Sequence, residues 1–205
     1  MPATAHTLRL DPWAAEYEGS IQIGDDAEAA TVDLQVEQAD WSAVRPQAAR
    51  AAPRIAFVDG VRRIEHRLLV GESPSGLSGA GARTVYGLLG SFGVGAVHVG
   101  RTARVAHEVL GRVLVTGGGL TLAAFLARVP GGPPLRFDPR SEPENDPAVP
   151  VQGLQKAMRQ TEAGLAERLS AEVDVVFLDG PLTFLTPAAR GSVVGFVKRQ
   201  LRIYL

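Results

Sequence analysis

The apolar positions of this chain fall mostly into short blocks. Ile55-Ala-Phe-Val58 is one block and is followed by Asp59-Gly60. Val175-Val-Phe-Leu178 is another and is followed by Asp179-Gly180. Apolar runs of this length predict buried strands, and the Asp-Gly pairs predict that each strand stops in a turn. Residues 61–70 mix apolar and basic side chains. A third strand is expected within 85–99 and a fourth within 104–116, where Val105, Val109, Val113 and Val115 recur. Strands in succession with short glycine-containing links predict an antiparallel meander, interrupted by a Gly/Ser loop over 73–81.

The second half reads differently. Residues 151–172 carry Leu154, Met158, Leu165 and Leu169 on one stripe, at the spacing of an amphipathic helix. A shorter helix is expected over 120–129. Between them, 130–150 holds seven of the chain's 14 prolines, which predicts a long loop without regular structure. Strands over 173–178 and 193–197 close the pattern. A meander followed by helix and strand is the order of an α/β, RNase H-like mixed sheet with flanking helices. No period marks a repeat architecture.

Charge divides the 205 residues unevenly although the net is only −1. Residues 1–52 carry nine acids and three bases, net −6, and read as an acidic N-terminal extension. An edge strand over 30–36 and a helix over 41–52 are expected within it. Residues 53–205 form the expected domain, with the Pro-rich loop as an insertion. Its stretch 53–130 carries four acids and nine bases, net +5. That permits salt-sensitive binding to an acidic polymer without demanding it. There is no cysteine, so disulfides, thiolate metal sites and cysteine nucleophiles are excluded. No apolar run approaches the length of a membrane span, and no signal-like start is present. A cytoplasmic protein is the expectation.

The chemistry is carried by carboxylates. If the two matched strands are neighbours, Asp59 and Asp179 face one another at a sheet rim. Two such anions repel unless a cation sits between them. An all-oxygen site suits Mg²⁺ or Mn²⁺. Asp-Gly is also a routine strand-ending turn, so each pair alone says little. A third ligand is offered by the helix. Glu162 lies about 40° from Met158 on the helical wheel, inside the apolar stripe, whereas Glu167 lies on the opposite side. A carboxylate in a buried stripe is costly unless paired or liganded. A salt bridge to Arg159 is the bland alternative. Lys198 follows the last strand and is one of only two lysines beside 19 arginines; a compact point charge suits a phosphate. Arg62, Arg63 and Arg67 could grip a nucleic-acid backbone or simply be solvated. Gly117-Gly118-Gly119 and Gly90-Ser-Phe-Gly93-Val-Gly95 lack the context of nucleotide loops and read as bends in the sheet. Lone histidines such as His66 and His107 read as surface or strand residues.

Together, Asp59-Gly60 with Arg62-Arg63, Leu178-Asp179-Gly180-Pro-Leu182, Val193-Val-Gly-Phe-Val-Lys198 and Arg202-Ile-Tyr-Leu205 resemble the NurA nuclease family. The resemblance covers roughly 54–205. It implies an RNase H-like fold and a Mn²⁺- or Mg²⁺-dependent DNA nuclease with 5′→3′ polarity. It also implies a homodimer that docks on a hexameric HerA-type DNA translocase in end resection or phage defence. On this resemblance Asp59 and Asp179 match the family aspartates, Glu162 the helix glutamate, and Lys198 the lysine after the second aspartate. Val61 stands where the family often has serine. The chain stops at Leu205, ahead of the family's late histidine, so a divergent member or part of a longer protein is expected. The alternative from another class is a catalytically weak scaffold that binds a motor ATPase.

Overall fold

A computed structural model of the chain describes residues 5–11, 53–73, 83–187 and 192–197. It is a mixed α/β protein whose core is mostly sheet. The strands are β1 (Ala5–Asp11), β2 (Ile55–Ser73), β3 (Arg83–Val99), β4 (Ala103–Thr116), β5 (Phe125–Ala127), β6 (Leu135–Ser141), β7 (Val175–Asp179) and β8 (Val193–Phe196). Among the described residues there is a single helix, α1 (Val149–Leu169). The sheet order is β5-β6-β4-β3-β2-β7-β8, and β1 adds to β2. β2, β3 and β4 form the expected antiparallel meander, while β7 runs parallel to β2 and β8 parallel to β7.

Helix α1 begins with Pro150 in its first turn, where a missing N–H costs nothing. Leu154, Ala157, Met158, Leu165 and Leu169 are buried against one face of the sheet. Each fully buried leucine there contributes on the order of 2 kcal/mol. A second core of Leu68, Val70, Val85, Leu89, Leu114, Leu120 and Phe137 lies apart from the first. Strand alternation puts it on the opposite face. A β-bulge between Ile64 and His66 makes this possible: the extra residue shifts which side chains of β2 point to which side.

Four expectations are corrected. The pair Asp59-Gly60 does not end a strand, because β2 runs unbroken through it and joins the blocks 55–58 and 61–70. Residues 120–129 are not helical. Leu120, Leu122, Phe125 and Ala127 all pack on the second core, and β5 pairs with β6. Packing of these side chains on the second core and pairing with β6 override the modest helical propensity of so short a segment. The Pro-rich stretch is not a bare loop, for β6 lies inside it, parallel to β4. Pro139 fits there because β6 is a short strand near the sheet's margin. Finally, the glycines of 90–95 lie within β3 rather than at bends. Strand β1 was not anticipated from the sequence. The predicted elements over 30–36 and 41–52 lie outside the described residues, and so does Lys198. No described helix is long and apolar enough to cross a membrane.

Candidate functional site: a carboxylate notch in the sheet

On its edge facing β7, strand β2 is paired twice. Residues 55–58 pair with β7, and residues 67–73 pair with β1. Among the described residues, 59–66 have no strand partner on that edge. The sheet therefore has a notch, and the carboxylates of interest stand at its β7 end. The last paired residues are Val58 and Leu178. Asp59 and Asp179 come next on adjacent parallel strands, whose spacing is about 4.8 Å. By alternation both side chains emerge opposite α1, on the side of Phe57 and Phe177, whose rings stack at 5.1 Å. Asp59 Oδ1 accepts a hydrogen bond from the Gly60 amide at 2.8 Å.

Glu162 approaches from the other side. It is 2% exposed and sits in the apolar stripe of α1, as its wheel position predicted. Its Oε1 occupies the space beside Gly60, where a β carbon would come within 2.5 Å of it. Gly60 is thus a gap that admits the glutamate rather than a turn. Burial pushes the Glu162 carboxyl up to about 7. Arg159 pulls it down, while Asp59 and Asp179 push it further up. Glu162 therefore senses both aspartates. The oxygens of these acids do not, however, form a cluster with all three within 4.8 Å; among the described residues a different group does so.

Arg159 completes the rim. Its Nη1 donates to the backbone carbonyl of Asp179 at 3.1 Å. Gly180 has φ +96°, and a β carbon there would collide with the Arg159 guanidinium. At Asp179-Gly180 the strand does stop in a turn, as expected.

The three predicted arginines do not converge. Arg62 is half-buried on the α1 side, where its Nε donates to Gln155 Oε1. Arg63 is exposed on the opposite face and pairs with Glu65 at 3.3 Å. Arg67 lies more than about 20 Å along β2 from Asp59, given the strand rise per residue. It lines a separate cleft of about 270 Å³ with Asp11 and Tyr86. A shallow groove passes Asp59 on the open face. One part, about 290 Å³, is lined by Asp59, Gly93, Gly95 and Glu108. The adjoining part, about 310 Å³, includes Arg63 and Arg112.

No family model and no curated protein matches the sequence. Among solved structures, the chain aligns with the NurA nuclease from Sulfolobus solfataricus at a TM-score of 0.34 and 14% identity. The alignment covers 68% of this chain and 30% of that one. This chain thus aligns with less than a third of that protein's length.

Two features escaped sequence reasoning. The sequence marks Arg159 as a salt-bridge partner for Glu162, three residues away on the same helix face, and does not reveal that its guanidinium reaches the Asp179 carbonyl. The cluster of donor atoms within 4.8 Å consists of His98, His107 and Glu172. Those residues are scattered in sequence, and the β3–β4 register together with the end of α1 brings them together.

Proposed function

We propose that this chain is a divalent-metal-dependent deoxyribonuclease of the NurA type, built on an RNase H-like sheet. The order β4-β3-β2-β7-β8, with three antiparallel strands and two parallel to the first, supports that fold assignment. The observation that carries the activity is the notch: two aspartates side by side on β2 and β7, and a buried glutamate whose proton affinity both of them raise. A buried acid crowded by two anions favours a cation as a neighbour. The donors are all carboxylate oxygens, which fits Mn²⁺ or Mg²⁺.

Asp59, Glu162 and Asp179 would hold one or two such ions, which supply water activation and stabilise charge on the leaving oxygen. Glu162 would exchange its proton for metal on loading, since a cation lowers the proton affinity of its ligands. Lys198 would neutralise a phosphate oxygen. DNA would follow the open-face groove past Asp59 toward Arg63 and Arg112; Arg62, on the α1 side, and Arg67, in its separate cleft, lie off that path. A homodimer is proposed to cover the β7–β8 end of the open face, beside the groove, where Phe57, Val194 and Phe196 are exposed. A HerA-type hexameric ATPase is the proposed partner in DNA end processing or phage defence.

The scaffold reading is favoured by one observation, the spread of the three carboxylates beyond 4.8 Å. Both readings meet in one experiment. Linear DNA is incubated with wild-type protein, Mn²⁺ and a HerA-type translocase, in parallel with Asp59→Asn and Asp179→Asn. Cleavage lost in both variants supports the nuclease. Intact DNA with wild type present sinks it in favour of the scaffold.

A further inference from the structure

A second ligand cluster lies at the other end of β7. Asp179 ends that strand, whereas Glu172 precedes its first residue, Val175, which puts the two carboxylates more than about 13 Å apart along the chain direction. His98 is near the end of β3, paired with Ala56. His107 is on β4, paired with Ala96. Positions 96 and 98 share a face of β3, so both imidazoles emerge on the α1 side.

His107 reaches that side because of a bulge. The register between β3 and β4 shifts between Ala96 and Val97, leaving Ala106 unpaired. Without that extra residue Ala106 would face Ala96, and His107 would point to the open face instead. Glu172 is fixed by the end of α1, its amide donating to the Leu169 carbonyl at 2.8 Å.

The three side chains bring their donor atoms within 4.8 Å of one another. The two rings are 5.9 Å apart, and His107 Nε2 is 3.8 Å from Glu172 Oε2. That separation is too long for a hydrogen bond. His98 Nε2 is buried and has no hydrogen-bond partner. An ordinary His–Glu ion pair would leave this nitrogen orphaned, and a buried polar atom without a partner is unfavourable. A metal ion would satisfy it.

We propose that His98, His107 and Glu172 bind a divalent transition-metal ion of the zinc class. Two imidazoles and one carboxylate form a donor set that zinc accepts and that Mg²⁺ does not favour. Metal–ligand distances near 2.1 Å put tetrahedral donors about 3.4 Å apart, so closure needs movements of about 1 Å. His107 and Glu172 can make them, since their side chains are 42% and 52% exposed. Three protein ligands leave a fourth position open. His98 and Glu172 also line a cleft of about 500 Å³ with Arg54, Arg101 and Arg104, from which that position would be filled. Water or an anionic group of a ligand would take that position.

The test uses the untagged, metal-stripped full chain in an Asp59→Asn/Asp179→Asn background, so that the carboxylate notch does not compete. Zinc chloride is titrated by calorimetry, and Co²⁺ is followed by its d–d absorption. The expected result is one ion per chain at roughly 1 µM or tighter. His107→Ala and Glu172→Ala should each weaken binding at least tenfold while keeping the circular dichroism of the parent. His66→Ala should change nothing. Zinc should raise the melting temperature of the parent and not that of His107→Ala. No binding at about 100 µM zinc, or binding undiminished in both variants, overturns the proposal. Displacement of zinc by equimolar Mg²⁺ would overturn it as well, since Mg²⁺ calls for an oxygen site.

Discussion

The two Asp-Gly pairs are alike in sequence and unlike in structure. At Asp179-Gly180 the strand stops, Gly180 adopts φ +96°, and the guanidinium of Arg159 lies against it. At Asp59-Gly60 the strand continues for many residues, and the glycine makes room for the carboxylate of Glu162. One glycine is required by backbone conformation and the other by a neighbour's approach. Both leave an aspartate at the same level of two adjacent parallel strands. The comparison shows that a turn signal beside a carboxylate can mark a site whether or not the chain turns there.

The largest effect should come from the aspartates. Asp59→Asn and Asp179→Asn each remove an anion from the proposed metal shell while keeping side-chain shape. DNA cleavage with Mn²⁺ should fall by more than about 100-fold, beyond the loss typical of outer-shell substitutions. Melting temperatures should stay level or rise, because each change also removes an anion that repels Glu162. If Asp59→Asn abolishes cleavage and Asp179→Asn leaves it intact, the two pairs are not equivalent members of one site.

The next effect is thermodynamic and belongs to Glu162. Its carboxyl is raised from 4.5 to about 7, chiefly by burial. The folded state therefore holds the proton more tightly than the unfolded state. The stability this gives is fully present below pH 4.5 and is lost as pH rises to about 7. Above pH 7 the ionised glutamate costs on the order of 3 kcal/mol relative to low pH. Urea titrations should show Glu162→Gln matching wild type near pH 4.5 and exceeding it by up to about that amount at pH 8. Saturating Mn²⁺ at pH 8 should narrow the gap by binding the folded wild type. A gap that is the same at both pH values would mean that Glu162 is not the buried acid described.

Much of this was legible beforehand. The stripe Leu154, Met158, Leu165, Leu169 located α1, and the wheel angle of Glu162 predicted its burial, because helical periodicity depends only on local spacing. The apolar blocks before Asp59 and Asp179 located β2 and β7. What failed was non-local. Whether Gly60 turns or yields space depends on a glutamate about a hundred residues away. Residues 120–129 became β5 and its approach because the second core and β6 offered them partners. The His98–His107 meeting depends on a single bulged residue, Ala106, and no spacing rule announces it.

The smallest effect separates the two glycines. Gly180→Ala puts a β carbon at φ +96° and against the Arg159 guanidinium. A non-glycine residue in such a conformation costs about 1–2 kcal/mol, so melting should fall by several degrees. Gly60→Ala meets no backbone strain. Its β carbon meets Glu162 Oε1, the far end of a flexible side chain, at 2.5 Å, and Met158 Cγ, within a second flexible side chain, at 3.0 Å. Those can swing aside, so the stability loss should be under about 1 kcal/mol, below that of Gly180→Ala. The displaced glutamate, however, leaves the notch, and Mn²⁺-dependent cleavage should drop at least tenfold. In the Glu162→Gln background, Gly60→Ala should cause little further loss of cleavage, because the carboxylate it displaces is already gone. Thermal melts and cleavage rates on the four single and double variants decide this. If Gly60→Ala is the more destabilising substitution and leaves cleavage untouched, Gly60 is a structural residue and the notch does not depend on Glu162.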